Sequence, residues 1–187
     1  LFINGLGEKT RFRSGAGGIA GPIDRARGIL VNAPHLRGWV RKPLKAGLER
    51  MLRVPVSLEN DAALAGLGEA TGGAGRGRGI VAYVTVGTGV NGARIVDGRI
   101  DRSAAGFEIG HQFIVSGGPR CSGCGGRGHL EAMVSGAAIK ARYGREPRAI
   151  TDSRIWDETA RYFAFGLANT ILHWSPELLV VGGSMVV

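Results

Sequence analysis

The chain has 187 residues, is 44% apolar and carries a net charge of +9 in which arginine far outnumbers lysine, which suits one domain, or parts of two, around a packed core. No apolar run of about 18 residues occurs, and no basic segment leads into an apolar one at the start, so neither a membrane-spanning helix nor a secretory signal is expected. The two cysteines stand as Cys-x2-Cys, which fits metal binding in a reducing cytoplasm better than a disulfide framework.

In chain order, Glu8 to Gly18 is polar and Gly-rich with no apolar period and reads as loop or disordered terminus. Gly21-Pro22-Ile23-Asp24 reads as a turn, Gly28 to Val31 as a short strand, and Pro34 to Trp39 as a second turn with a buried aromatic. Pro43 opens a helix running to about Arg53, with Leu44, Leu48, Met51 and Leu52 on one face. Val54 to Leu58 is a short strand, and Asn60 or Asp61 can cap a helix from Ala62 to Glu69. A Gly/Arg loop over 71–79 leads to an apolar strand, Ile80 to Val86. Ala93 to Val96 and Arg99-Ile100 form a hairpin through Asp97-Gly98, a type I′ signal. Leu130 to Tyr143 reads as one helix, and Asp157 to Trp174 as a long one, with Phe163, Leu167, Ile171 and Trp174 at helical spacing and Pro176 ending it. Leu178 to Val181 is a buried strand before Gly182-Gly183. Strands alternating with helices imply an α/β domain, and no internal repeat is present.

Scattered basic residues (Arg11, Arg13, Arg25, Arg27, Arg37, Arg41) admit a nucleic-acid surface. They follow no helical face and no aromatics interleave as stacking platforms, so nucleic acid is not the expected partner; a basic cleft equally suits phosphorylated ligands.

Three segments carry chemistry. Asn60-Asp61, at a strand-to-helix junction, points an amide and a carboxylate into a crevice, although a plain helix cap explains the pair as well. Gly87-Thr88-Gly89 directly follows an apolar strand, so its free N–H groups and hydroxyl can cradle a phosphate, though many β-turns look alike. His111, Cys121, Cys124 and His129 supply two imidazoles and two sulfurs, the donor set of a closed tetrahedral zinc site. The bland alternative is two free thiols and two surface histidines in a Gly-rich loop. Glu108 and Glu131 flank that site and are not needed as ligands.

Glu108-Ile109-Gly110-His111, the cysteine cluster and Leu130-Glu131 together resemble the signature of the ROK family of sugar kinases and related repressors. The usual family form is Cys-x-Cys-Gly-x-x-Gly-Cys-Leu-Glu. Here one residue is inserted between the first two cysteines, and His129 stands where the third cysteine falls, which keeps a zinc ligand. Glu59-Asn60-Asp61-Ala62, the Gly87-Thr88-Gly89 turn, and Val180-Val181-Gly182-Gly183 follow in the family's order, and so does the path from Gly21 through Trp39. Asn91 replaces a family glycine after the turn.

The resemblance implies an incomplete actin-like ATPase (ribonuclease H-like) fold with a zinc-binding loop. Residues 1–61 would be the remnant of an N-terminal sugar-kinase domain, and 62–187 an incomplete C-terminal domain. It implies ATP-dependent phosphorylation of a hexose or N-acetylhexosamine, with Asp61 as general base. Asn60, Glu108, His111 and Glu131 would bind the sugar, Gly87, Thr88 and Gly89 the phosphates, and Gly182 and Gly183 the adenosine. ATP and Mg²⁺ would be bound, zinc would be structural, and the intact protein would be a homodimer. The family's first phosphate hairpin, Asp-x-Gly-Gly-Thr, and its closing helix have no counterpart here, so the chain is read as truncated at both ends, with weak sugar binding and little ATP turnover. A sugar-sensing regulator of the same family is the alternative. A zinc module reading nucleic acid is argued against by the small apolar residues of Leu130 to Ala138.

Overall fold

Parallel pairing between two segments distant in sequence organises the first part of the chain. The structure, a computed structural model, describes residues 12–33, 36–103 and 106–186. These gather into two units, one ending at Asp61 and one beginning at Ala62. In the first, β1 (Gly15–Ile19) lies parallel to β4 (Val56–Asn60), with Gly15 opposite Val56 and Ile19 opposite Asn60. The expected loop over Glu8 to Gly18 is therefore corrected from Gly15 onward. Its glycines hide a strand because the apolar residues sit on the partner. A Cβ on Gly15 would lie 3.2 Å from Val56 Cγ2, and one on Gly17 3.2 Å from Leu58 Cδ2.

β2 (Ile23–Asp24) and β3 (Ile29–Leu30) form an antiparallel ribbon, so the turn expected at Gly21 to Asp24 ends in a strand. Helix α1 (Leu44–Leu52) ends on Arg53, whose left-handed backbone (φ 55°) carries its N–H back to Glu49 O. None of its residues is buried, and Met51 is 61% exposed, so the expected apolar face is largely uncovered. Trp39 is 53% exposed, which corrects the expected buried aromatic. The readings at 1–11 and at Pro34-His35 lie outside the described residues.

In the second unit, a four-stranded sheet has the order β7-β6-β5-β8. β5 (Ile80–Val86) and β6 (Val90–Val96) form an antiparallel hairpin, β7 (Arg99–Ile100) extends it, and β8 (Leu178–Gly182) runs parallel to β5. Asp97 and Gly98 take φ 49° and 69°, the paired positive values of a type I′ turn. Helix α2 (Asp61–Gly72) runs three residues past its expected end at Glu69. Its Ala63 and Ala70 pack with Val81, Ala93 and Ile95 on one face of the sheet. Val84, Val86 and Val90 on the other face pack with Leu130, Met133 and Val134. Alternation along β5 thus feeds two cores, and helices cover both faces.

The helix expected over Leu130 to Tyr143 is two: α3 (Leu130–Val134) and α4 (Gly136–Tyr143). Ser135 between them is extended (φ −71°, ψ 153°), and its side chain accepts from Ala138 N. A Ser-Gly pair inside a helical pattern is the signal for such a cap. The last helix, α5 (Ser153–Trp174), starts four residues earlier than expected because Asp152 caps it. It stops at Ser175, which is left-handed (φ 47°), just before Pro176.

Candidate functional site

In the first unit, Asn60 is the last residue of β4 and Asp61 the first of α2; Asn60 is half-buried and Asp61 exposed. Asn60 Nδ2 donates to Gly21 O at 3.2 Å, which ties the junction to the segment before β2. Glu59 is oriented by Arg25, whose Nη2 donates to Glu59 Oε1 at 3.0 Å, and the same oxygen accepts from Asn60 N at 2.8 Å. Arg25 was not among the sequence candidates. It reaches Glu59 across 34 residues of chain.

In the second unit, β5 and β8 are parallel neighbours, so their C-terminal ends lie at one edge of the sheet. Each ends in glycines, as in open α/β sheets that bind ligands beyond their strand ends. The Gly87-Thr88-Gly89 turn joins β5 to β6, with Gly87 N donating to Gly89 O at 2.9 Å. Its carbonyls are held from below: Gly136 N donates to Gly87 O at 2.8 Å and Ala137 N to Thr88 O at 3.2 Å. The first donors of α4, orphaned by helix geometry, are thereby satisfied. Ser135 and Gly136, absent from the sequence candidates, position this turn. At the end of β8, Gly183 has φ 102°, and a Cβ there would sit 2.3 Å from Val86 O. A Cβ on Gly182 would meet Tyr83 Oη at 2.8 Å, so this strand end must be glycine to lie against β5.

The segment from Ile109 to Leu130 folds back on itself. A 3-10 turn at Ile109–His111 presents His111, and isolated bridges pair Phe113 with His129 and Arg120 with Arg127. Gly128 makes the return: φ is 71°, and a Cβ would fall 1.8 Å from Val115 O. The ligand atoms of His111, Cys121, Cys124 and His129 lie within 4.8 Å of one another. Cys124 Sγ is 3.2 Å from His129 Nδ1, and Cys121 Sγ is 3.7 Å from His111 Nδ1. Tetrahedral zinc with Zn–S of about 2.3 Å and Zn–N of about 2.1 Å sets neighbouring ligands about 3.6 Å apart. The two Cys–His pairs, at 3.2 and 3.7 Å, lie close to that spacing, and the widest pair needs to close by about 1 Å. The donors therefore fit a zinc ion.

Burial pushes the Cys121 thiol up from its ordinary value, and the Glu131 carboxylate adds to the rise. The backbone N–H groups of Cys124 and Gly123 act in the opposite sense. Gly126 N points at Cys124 Sγ from 3.4 Å. N–H donors turned toward both sulfurs favour thiolates, the form a metal binds. With Nδ1 toward the thiols, His111 turns Nε2 toward Glu108 Oε2 at 3.7 Å. Such a carboxylate partner on the second nitrogen orients metal-bound histidines. Glu131 Oε2 accepts from Val90 N at 3.0 Å, and its Oε1 lies 3.6 Å from Cys121 Sγ. Among the described residues, no helix is long and apolar enough to cross a membrane.

The chain is similar to known proteins over most of its length. The ROK family matches residues 2–187. A glucokinase of Thermotoga maritima is 40% identical over 90% of this chain and 62% of its own length. A xylose repressor of Caldicellulosiruptor bescii is 30% identical over 88% of this chain and 48% of its own. Among solved structures, a ROK family glucokinase from Streptomyces griseus in complex with glucose and AMPPNP superposes with a TM-score of 0.78. Its identity is 30%, over 97% of this chain and 68% of that one. The chain thus spans 62% of the length of the Thermotoga enzyme it matches. Its fold is the actin-like ATPase fold of the ROK sugar kinases. The chain belongs to the ROK family.

Proposed function

We propose that the protein is an ATP-dependent sugar kinase of glucokinase type, acting on a hexose or N-acetylhexosamine. The observation that carries this reading is the pair of glycine turns at the ends of adjacent parallel strands β5 and β8. One offers backbone donors to phosphates, and the other a flat, Cβ-free surface to a purine. Glucokinases among the relatives support the same reading, one of them solved with glucose and AMPPNP.

Each residue then has a role. Asp61 takes the proton of the attacking sugar hydroxyl as its oxygen bonds to the γ-phosphorus and ADP departs. Asn60, Glu108, His111 and Glu131 bind sugar hydroxyls. Gly87, Thr88 and Gly89 donate to the phosphates, and Gly182 and Gly183 admit the adenosine. Mg²⁺, when bound with the nucleotide, would supply the charge neutralisation that phosphoryl transfer needs. His111, Cys121, Cys124 and His129 hold zinc as a structural ion that fixes the His111 ring. Residues up to Asp61 belong to the sugar-kinase N-terminal domain, and those from Ala62 to the C-terminal one. The working form is a cytoplasmic homodimer.

The deciding experiment is coupled ATP consumption across a panel of hexoses and N-acetylhexosamines, with the whole protein and with Asp61→Asn. Removing a general base costs about 10²–10⁴-fold in turnover, while sugar binding should persist. Unchanged turnover in Asp61→Asn would overturn the role of Asp61. Binding of sugar with no phosphorylation of any of them would favour the second reading, a sugar-sensing regulator, which the similarity to a xylose repressor supports.

A further inference from the structure

The zinc cluster and the phosphate turn read as separate motifs in the sequence, yet one carboxylate joins them. Glu131 Oε2 accepts from Val90 N, the first amide after the Gly87-Thr88-Gly89 turn, at 3.0 Å. Its other oxygen lies 3.6 Å from Cys121 Sγ. Two glycines, one from each motif, make room for this carboxylate. A Cβ on Gly89 would stand 2.7 Å from Glu131 Oε2, and a Cβ on Gly123 would stand 2.9 Å from Glu131 Oε1. Neither position has positive φ, so what a side chain there would meet is the Glu131 carboxylate, joined at Gly123 by His111 Cε1 at 3.2 Å.

The helix that carries Glu131 is suited to pass on a displacement. α3 begins directly after His129 and ends at Ser135, next to the two amides that hold Gly87 O and Thr88 O. Leu130 is 0% and Val134 1% exposed. Leu130 also seats against Gly166 of α5, where a Cβ would come within 2.5 Å of Leu130 Cδ2. A short segment clamped in a close-packed core moves as one piece or not at all.

We propose that Glu131 is the positioning residue that ties the Cys/His cluster to the Gly87-Thr88-Gly89 turn, so that filling the cluster with Zn²⁺ tightens the turn and raises its affinity for a nucleotide's phosphates. This rests on the kinase reading for the nature of the ligand, but not for the coupling itself. The coupling is reciprocal: nucleotide on the turn strengthens metal in the cluster.

The test is amide hydrogen exchange in zinc-loaded and chelator-stripped protein, with zinc content measured alongside. Stripping should speed exchange at Val90, and with it Gly136 and Ala137, by about tenfold, the size of one charge-assisted hydrogen bond. The amides in the middle of β5 should keep their rates. In zinc-loaded protein, Glu131→Ala should reproduce the faster exchange at Val90. Glu131→Gln, whose amide oxygen still accepts, should restore the slow rate. Gly123→Ala, which presses on Glu131 and on His111 of the cluster, should loosen Val90 as well. Affinity for AMPPNP with Mg²⁺ and no sugar should fall about tenfold on stripping. A sugar contact with no positioning role would leave both readouts unmoved. Unchanged exchange at Val90 after zinc is lost, or in Glu131→Ala, overturns the proposal, as does a protein that takes up no zinc. If AMPPNP binds neither form, the nucleotide reading of the turn falls, and the exchange rates still decide the coupling.

Discussion

The Gly87-Thr88-Gly89 turn and the Cys/His loop lie on either side of one short helix, but they are held by different forces. The turn rises from two fully paired strands whose valines are buried: Val84 is 0% and Val86 3% exposed. Its shape is determined by the ladder, by packing and by backbone donors from α4. The loop has two isolated bridges and many glycines, Cys124 is exposed, and Cys121 is its one deeply buried apolar anchor among the described residues. A segment with so little apolar burial cannot offset its ordering entropy by packing. Its order has to come from ligand bonds, so the loop should respond to metal directly, and the turn only through Glu131.

The largest effect expected is that of Cys124→Ala. Metal binding at such sites is coupled to folding. Zinc should fall from one ion per chain to none by elemental analysis, and exchange across residues 117–128 should become fast. The core of β5 should stay protected. Full zinc retention, or collapse of β5 together with the loop, would break the contrast.

Next in size is Gly128→Ala. Forcing a side chain into φ 71° and against Val115 O adds strain of about 1–3 kcal/mol at minimum. The loss should appear in thermal melts and in weaker zinc uptake. A wild-type Tm would show that the loop's return path is not the constraint described here.

The pH response sharpens the comparison because its sign depends on the ion. The folded protein holds the Cys121 proton more tightly than the unfolded chain does, chiefly through burial and then through Glu131. That stability is present below the thiol's ordinary pKa and is lost as pH rises through the raised value. Metal-free protein should therefore lose Tm on the alkaline side. Zinc-loaded protein should instead lose Tm on acidification, because protons displace the metal from its ligands. Melts with and without chelator should meet at acid pH and separate as pH rises; coincident curves at every pH would mean that the cluster holds no metal.

The smallest effect belongs to a pair outside both regions. Arg94 and Asp101 form an ion pair with side chains 25% and 30% exposed. Asp101→Asn should cost no more than about 1 kcal/mol and leave zinc content and nucleotide affinity unchanged. A change in either would mean that the sheet transmits strain to the site.

Much of this was legible in the residues because the relevant physics is local. Ile80–Val86 has the bounds read from its apolar run, and the positive φ values at Asp97 and Gly98 are those their residue types demand. Cys-x2-Cys with two histidines brought four donor atoms together as ligand chemistry requires. The strand at Gly15–Ile19 was not legible, since the side chains that define it belong to Val56 and Leu58 on its partner. The break at Ser135 was half legible: Ser-Gly offers a cap, but whether the helix stops there depends on carbonyls from a distant turn taking its next two N–H groups. Glu131 is the sharpest case. Its identity and place beside the cluster are in the sequence, but its reach to Val90 exists only once β6 and α3 are packed. Periodicity and ligand type act within a few residues of chain, whereas hydrogen-bond partners and close approaches are set by which elements the core brings into contact.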